Sequence, residues 1–316
     1  MALHRAPNAG SATEQHDAAA VAAHQPGSGG LATFHCVLNA SALAPDTPGL
    51  TDALLHPPPP QPAQPGRLRH FELTVRNQDV AIARTHTLHA WAFNGSVPGP
   101  VLRVTEGDTV EVLFRNRSPL AHTVHFHGVH GATVDGVDPI VAPGQDFTYR
   151  FTARAFGLFV YHCHMAPLET HVNQGMYGVF IVDPPAPRAP AQELVMLMYG
   201  YDLHGRGGND LYSVNGIAGY YARHPIPLDV NRPVRVYLAN MTEFDPINSF
   251  HLHANVFAQV PSVRATQPLL WDDTVMLCQG QRAILEFSYD TPGTYLFHAH
   301  QSDIAEKGWS GLFAVR

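Results

Sequence analysis

Two short segments constrain the architecture of this chain more than any others: His162-Cys163-His164 and His298-Ala299-His300. Each closes an apolar run, Phe159-Val160-Tyr161 in one case and Tyr295-Leu296-Phe297 in the other. Each is followed by a glycine-bounded stretch, Gly175-Met176-Tyr177-Gly178 and Gly308-Trp309-Ser310-Gly311. Upstream, Phe126-His127-Gly128 is matched by Leu252-His253-Ala254, and Gly144-Gln145 by Gly280-Gln281. Self-similarity of this kind marks a duplicated structural unit. The chain should therefore fold as two copies of one domain, with loops of different length between the matched segments.

The repeated unit reads as β-structure. Phe71, Leu73 and Val75 alternate; Val101, Val104, Val110, Val112 and Phe114 follow, then Phe147, Tyr149 and Phe151. Gly and Pro clusters punctuate these short runs, which predicts an all-β chain of two β-sandwiches. Residues 1–66 are rich in Ala, Pro, Gly and scattered His, ending near His56-Pro57-Pro58-Pro59-Pro60. With little periodic apolar pattern, they are expected to form an extended N-terminal arm. The first sandwich is assigned to residues 67–184 and the second to 185–316, joined by the Pro-rich stretch from Asp183 to Pro190. A chain of 316 residues is long enough to bury a core in each.

Composition excludes several classes of function. Charged residues make up 14% of the chain, below the roughly 25% of an average soluble protein. A formal charge of −7 with 19 Lys and Arg leaves no basic face for nucleic acid. No run approaches the roughly 18 apolar residues of a membrane span. No basic segment followed by an apolar one marks an export signal at the N-terminus. The cysteines, Cys36, Cys163 and Cys278, are too few and scattered for a disulfide framework. Cys36 and Cys278 are read as inert thiols of the buried kind. Cys163, flanked by histidines, is the ligand candidate.

Histidine carries the chemistry. Four His-x-His pairs occur at matching places in the two copies: His125/His127, His162/His164, His251/His253 and His298/His300. On a strand, alternate residues share a face, so each pair offers two imidazoles in one direction. Eight imidazoles exceed the four ligands of a structural zinc site and suit a copper cluster, copper standing above zinc in affinity order. A second set, His122, Cys163, His171 and Met176, offers two imidazoles, a thiolate and a thioether, the donors of a blue-copper electron-transfer site. The second copy lacks these donors: Asn248, Ala299 and Trp309 stand at the positions of His122, Cys163 and Met176. One electron-transfer copper per chain is therefore expected, in the first copy. Cys163 would face it while His162 and His164 face the cluster. His130 and Met165 are read as packing residues.

These residues resemble a known family. The chain looks like a two-domain multicopper oxidase, small and laccase-like, with its type 1 copper in the N-terminal domain. The resemblance rests on Phe93-Asn94-Gly95-Ser96-Val97-Pro98-Gly99-Pro100, Glu106-Gly107-Asp108-Thr109-Val110, the stretches from His122 to Gly128 and from His162 to Gly178, Asp273-Thr274-Val275 and the last His-Ala-His. It implies cupredoxin-like Greek-key sandwiches and four coppers per chain. It implies type 2 ligation by His125 and His251. It further implies one type 3 copper on His127, His162 and His300, the other on His164, His253 and His298. It also implies a homotrimer with clusters between neighbouring subunits, and export to the periplasm or the cell exterior. Asp135 would serve proton delivery by that resemblance, although an acid before Gly136 is also an ordinary turn residue. Asp303 and Glu306 are further acid candidates.

The implied reaction oxidises small phenolic, aromatic or metal-ion donors one electron at a time and reduces O2 to water. Electrons would enter at an exposed edge of His171 or His122 and pass from Cys163 through the backbone to His162 and His164. Two alternatives stand beside it. A copper-containing nitrite reductase would, by resemblance, carry Asp at position 125 and a non-ligand at 164. A copper carrier without turnover would not need eight ordered imidazoles.

Overall fold

The computed structural model describes residues 35–316. Two β-sandwiches account for most of it, in agreement with the all-β expectation. In the first, strands His86–Phe93, Leu68–Ala83, Thr109–Asn116 and Asp146–Thr152 form one sheet in that order. Leu102–Thr105, Tyr177–Asp183, Gly157–His162 and His125–Phe126 form the other. Thr109–Asn116 shows the sequence logic: Val110, Val112 and Phe114 point inward and are buried, while the residues between them are half-exposed. The second sandwich pairs a six-stranded sheet, built around Gln192–Tyr201, Val234–Asn240 and Arg282–Phe287, with a five-stranded sheet containing Ile247–Leu252, Gly293–His298 and Ser310–Val315.

A third apolar layer joins the sandwiches. Strands Gly157–His162 and Tyr177–Asp183 are buried along their whole length, because their two faces enter different cores. Phe159, Tyr161, Phe180 and Val182 fill the first sandwich. Leu158, Val160, Val179 and Ile181 instead meet Val195, Leu197, Tyr199, Tyr237 and Ala239 of the second. The alternate residues Leu194, Met196, Val236 and Leu238 fill the second sandwich's own core. Continuous apolar runs are the sequence mark of strands covered on both faces. At the rim of this seam Arg103, with a side chain only 3% exposed, donates to both Asp183 oxygens at 2.7 and 2.8 Å and to Glu193 at 2.6 Å. Removing one partner of such a buried pair costs about 3–5 kcal/mol.

The N-terminal stretch departs from the expected extended arm. Residues 1–34 lie outside the described residues, but His35–Leu43 and Asp52–Leu55 are helices. A helix this short is not stable alone; packing supplies what propensity lacks. Val37 and Ala40 pack on Ala222, Leu296 and Leu312 of the second sandwich. The contact is close enough to demand glycine at position 219, where a Cβ would lie 1.7 Å from the Ala40 carbonyl oxygen. Farther along, the Pro58 carbonyl accepts from Arg103 at 2.8 Å and the Gln61 carbonyl from Thr105 at 2.9 Å. The segment thus runs from one sandwich to the other.

Candidate metal centre

One group of donors is buried in the first sandwich. Cys163 follows strand Gly157–His162, His171 lies on the short helix Leu168–Asn173, and His122 is held by a two-way backbone bridge to Val141. Their ligand atoms lie within 4.8 Å of one another. The Cys163 Sγ is 3.3 Å from His171 Nδ1, and the two Nδ1 atoms are 3.1 Å apart. The Nε2 of His122 lies 2.9 Å from the Ser118 hydroxyl, so that Nε2–H can donate and the Nδ1 lone pair faces the group. Met176 is buried in the same core and its carbonyl accepts from the Cys163 N–H at 3.0 Å. Burial, with His171 alongside, pushes His122 down to about 3, and burial raises the Cys163 thiol. A dry pocket of neutral imidazoles with a thiol that would give up its proton on ligation fits copper.

The expected exposed imidazole edge is absent. His122 is fully buried and His171 is 5% exposed. The Trp91 ring, which sequence reasoning did not single out, sits 5.4 Å from His122 and 4.8 Å from His171, centroid to centroid.

Four histidines gather on the opposite side of Cys163. His125 and His162 face each other across antiparallel strands, and the Nε2 atoms of His127 and His162 are 3.1 Å apart. The His164 ring lies 5.4 Å from that of His125 and 6.0 Å from that of His162. The strand alternation read from His162-Cys163-His164 therefore holds, although the regular strand ends at His162. The second sandwich repeats the arrangement. His251 and His298 are register partners, His253 Nε2 is 3.0 Å from His298 Nε2, and the His300 ring lies 5.1 Å from that of His251. Within the chain the two sets are separate groups.

The supports of the two sets also correspond. His125 Nδ1 donates to the Asp135 carbonyl at 2.6 Å, with the carboxylate at 3.4 Å. His251 Nδ1 lies 3.1 Å from the Asp273 carbonyl, with that carboxylate at 3.6 Å. The His164 N–H donates to Thr123 Oγ1, and that of His300 to Ser249 Oγ. The approach of Asp135 relies on Gly136, where a Cβ would lie 2.1 Å from the Val124 carbonyl oxygen. The place of Asp273 beside His251 had no signal beyond its membership in Asp273-Thr274-Val275.

Two multicopper oxidase family models match the chain, one over residues 74–187 and one over 191–316. A solved structure described as a multicopper oxidase superposes with a TM-score of 0.81 at 41% identity, covering 88% of this chain and 98% of its own. The chain belongs to the multicopper oxidase family. It is also similar to a copper-containing nitrite reductase of Neisseria meningitidis, 30% identical over 258 residues, 73% of this chain and 66% of the relative. The solved copper nitrite reductase of Nitrosomonas europaea aligns with a TM-score of 0.69 at 27% identity, covering 79% of this chain and 94% of its own. The chain spans 66% and 59% of the length of the two Neisseria meningitidis reductases it matches.

Membership in this copper family agrees with the electrostatics of the histidine sets. Burial pushes His127 down to about 3, assisted by His162 and Arg282, and takes His162 and His298 down to about 4. Neutral imidazoles present the lone pairs a metal requires. They also make the copper-free fold acid-sensitive. A histidine whose folded pKa is depressed takes up its proton more readily in the unfolded chain, so stability falls as the pH drops below the unfolded value of about 6.5. Copper-free protein is therefore expected to lose melting temperature steadily from pH 7 to pH 4.5. Scanning calorimetry across that range checks this; a flat profile would mean the imidazoles are not held neutral by the fold.

Other candidates fall outside the histidine sets. Asp303 pairs with Lys307 at 3.5 Å, and Glu306 ends the helix Ser302–Glu306. The His130 side chain is buried, with Nε2 2.6 Å from the Phe126 carbonyl and its ring against Phe151; Met165 packs on the first core. Cys36 is half-buried. Cys278, read as a buried thiol, is exposed, because it lies on the outward face of edge strand Thr274–Cys278.

Proposed function

We propose that this chain is a laccase-like oxidase, coupling one-electron oxidation of small phenolic, aromatic or metal-ion donors to four-electron reduction of O2 to water. The observation that carries the reading is one buried Cys/His/His group back to back with a four-histidine set, together with a second such set in the other sandwich. When bound, copper would supply single-electron transfer at the cysteine and O2 reduction among the imidazoles. His122, Cys163, His171 and Met176 would hold the first ion, and His125 and His251 a second. His127, His162 and His300 would hold a third, and His164, His253 and His298 a fourth. Because the two sets are separate within the chain, each complete cluster would combine the first sandwich of one subunit with the second of a neighbour in a homotrimer.

The chain's own residues set the terms of the reaction. Cys163 is bonded through the backbone to His162 and His164, so the path between the buried group and the histidine set is covalent and short. Trp91 and the surrounding apolar wall keep water from the cysteine. Asp135, with a carboxylate 37% exposed beside His125, would take protons from solvent and pass them inward. Asp135→Asn is expected to slow reoxidation by O2 at least tenfold while the donor reduces the blue centre at the wild-type rate. Stopped-flow absorbance separates these half-reactions, and equal reoxidation rates would remove Asp135 from the proton path.

Nitrite reduction is the competing reading, favoured by the curated relatives. Against it stand His125 and His164, at positions where that family is expected to carry Asp and a non-ligand. Oxygen uptake by copper-loaded protein with a phenolic donor decides between them. O2 consumption without nitrite loss is the expected result; nitrite consumption without O2 uptake would overturn the proposal.

A further inference from the structure

The two copies of the duplicated fold act as controls for one another, and they diverge at Trp91. Trp91-Ala92-Phe93-Asn94-Gly95 matches Tyr212-Ser213-Val214-Asn215-Gly216, and both asparagines take a left-handed backbone, with φ of 53° and 55°. Each aromatic lies on an edge strand, His86–Phe93 or Leu211–Val214, so its backbone N–H is free to donate outward. That of Trp91 donates to the Gln174 carbonyl at 2.8 Å, and that of Tyr212 to the Lys307 carbonyl at 3.0 Å. In both copies the acceptor directly precedes the glycine that follows a short helix, Gly175 or Gly308.

The rings behave differently. Tyr212 is 3% exposed and its hydroxyl donates to Asp245 at 2.7 Å. Trp91 is half-exposed, although Ala90 and Ala92 on either side of it are buried. Its ring closes a triangle with those of His122 and His171, whose own centroids are 5.0 Å apart. Both imidazoles of that triangle are buried, and the indole is its most exposed member. The copy without the Cys/His/His group closes this position to solvent; the copy that has the group opens it.

We infer that aromatic donors dock on Trp91 and give up their electron there, the indole standing between them and the buried imidazole of His171. The inference rests on the reading of the Cys163 group as the copper site that accepts electrons. A flat ring meets an indole in offset or edge-on contact, which favours phenols and aromatic amines. Metal ions are disfavoured, because an indole N–H only donates and offers them no ligand atom. For a phenol, one electron passes through the indole–imidazole contact to copper(II) at the Cys163 group, leaving copper(I). The phenol O–H bond breaks, its proton goes to water, and a phenoxyl radical departs.

Two measurements on the full chain test this. In copper-free protein, titration with a methoxyphenol should move the Trp91 indole signal in a 1H–15N correlation spectrum. The signals of Trp271, 65% exposed on the second sandwich, and of buried Trp309 should stay in place. In copper-loaded protein without O2, Trp91→Leu should slow reduction of the blue centre by the methoxyphenol about tenfold, with the blue band and the reduction potential unchanged. Trp91→Phe, which keeps a ring against the imidazoles, should recover much of the rate. Hexacyanoferrate(II), which has no flat face to stack, should reduce the leucine variant no more slowly than the wild type. Equal shifts at Trp91 and Trp271, an unchanged methoxyphenol rate in Trp91→Leu, or equal slowing with both reductants overturns the inference while leaving the oxidase reading intact. A wild-type blue centre that neither reductant reduces overturns the oxidase reading and this inference with it.

Discussion

Cys163→Ser is expected to abolish the blue absorption of the copper-loaded protein and to lower its copper content by one ion per chain. Oxidation of donors should fall by at least a thousandfold, since no other thiol among the described residues reaches the buried group. Serine fits the pocket, and its hydroxyl replaces a thiol whose Sγ contacts His171 at 3.3 Å, so the fold should survive. The histidine sets should keep their copper, because Cys163 faces away from them and the backbone carbonyl that accepts from His162 Nδ1 remains. Absorption spectra with metal analysis on the same sample check this. Blue colour persisting in the serine variant would exclude Cys163 as the ligand responsible.

A second large effect is expected from mixing two inactive proteins. His127→Ala damages only the first-sandwich set and His253→Ala only the second, so each homo-oligomer should have no intact cluster. If clusters form between subunits, exchange at equal amounts should restore roughly a quarter of wild-type O2 uptake, because head-to-tail interfaces then pair an intact first sandwich with an intact second one at random. Native mass spectrometry of the mixture establishes that exchange has occurred. Absent recovery in proven mixed oligomers would require each cluster to be built within one chain.

Much of this centre could be read before any coordinates, for a physical reason. The His-x-His pairs and His162-Cys163-His164 lie on or next to strands, where a period of two fixes which side chains share a face. Burial of Val110, Val112 and Phe114 followed the same rule. What escaped notice depends on contacts between distant segments. Trp91 covers His122 and His171 from a strand far upstream, and Arg282 reaches His127 from the other sandwich. Neither has a local pattern. The helix His35–Leu43 was missed because it is short and its apolar residues form no one-sided stripe, and its order depends on the surface of the second sandwich. His171 was named as a ligand, but its burial was not foreseen, since a ligand's accessibility depends on what packs above it.

The apolar seam has a consequence for the history of the molecule. A duplicated gene ordinarily yields two modules that can be separated, recombined or hinged. Here Leu158, Val160, Val179 and Ile181 on one side, and Val195, Leu197, Tyr199 and Tyr237 on the other, would face water if either half stood alone. Patches of that extent are aggregation hazards on a soluble domain. The halves have thus become obligate companions: neither can be shed, and neither can swing relative to the other without opening a core. If clusters do form between subunits, that fixed relation would let whole subunits place histidine sets from separate chains against one another reproducibly.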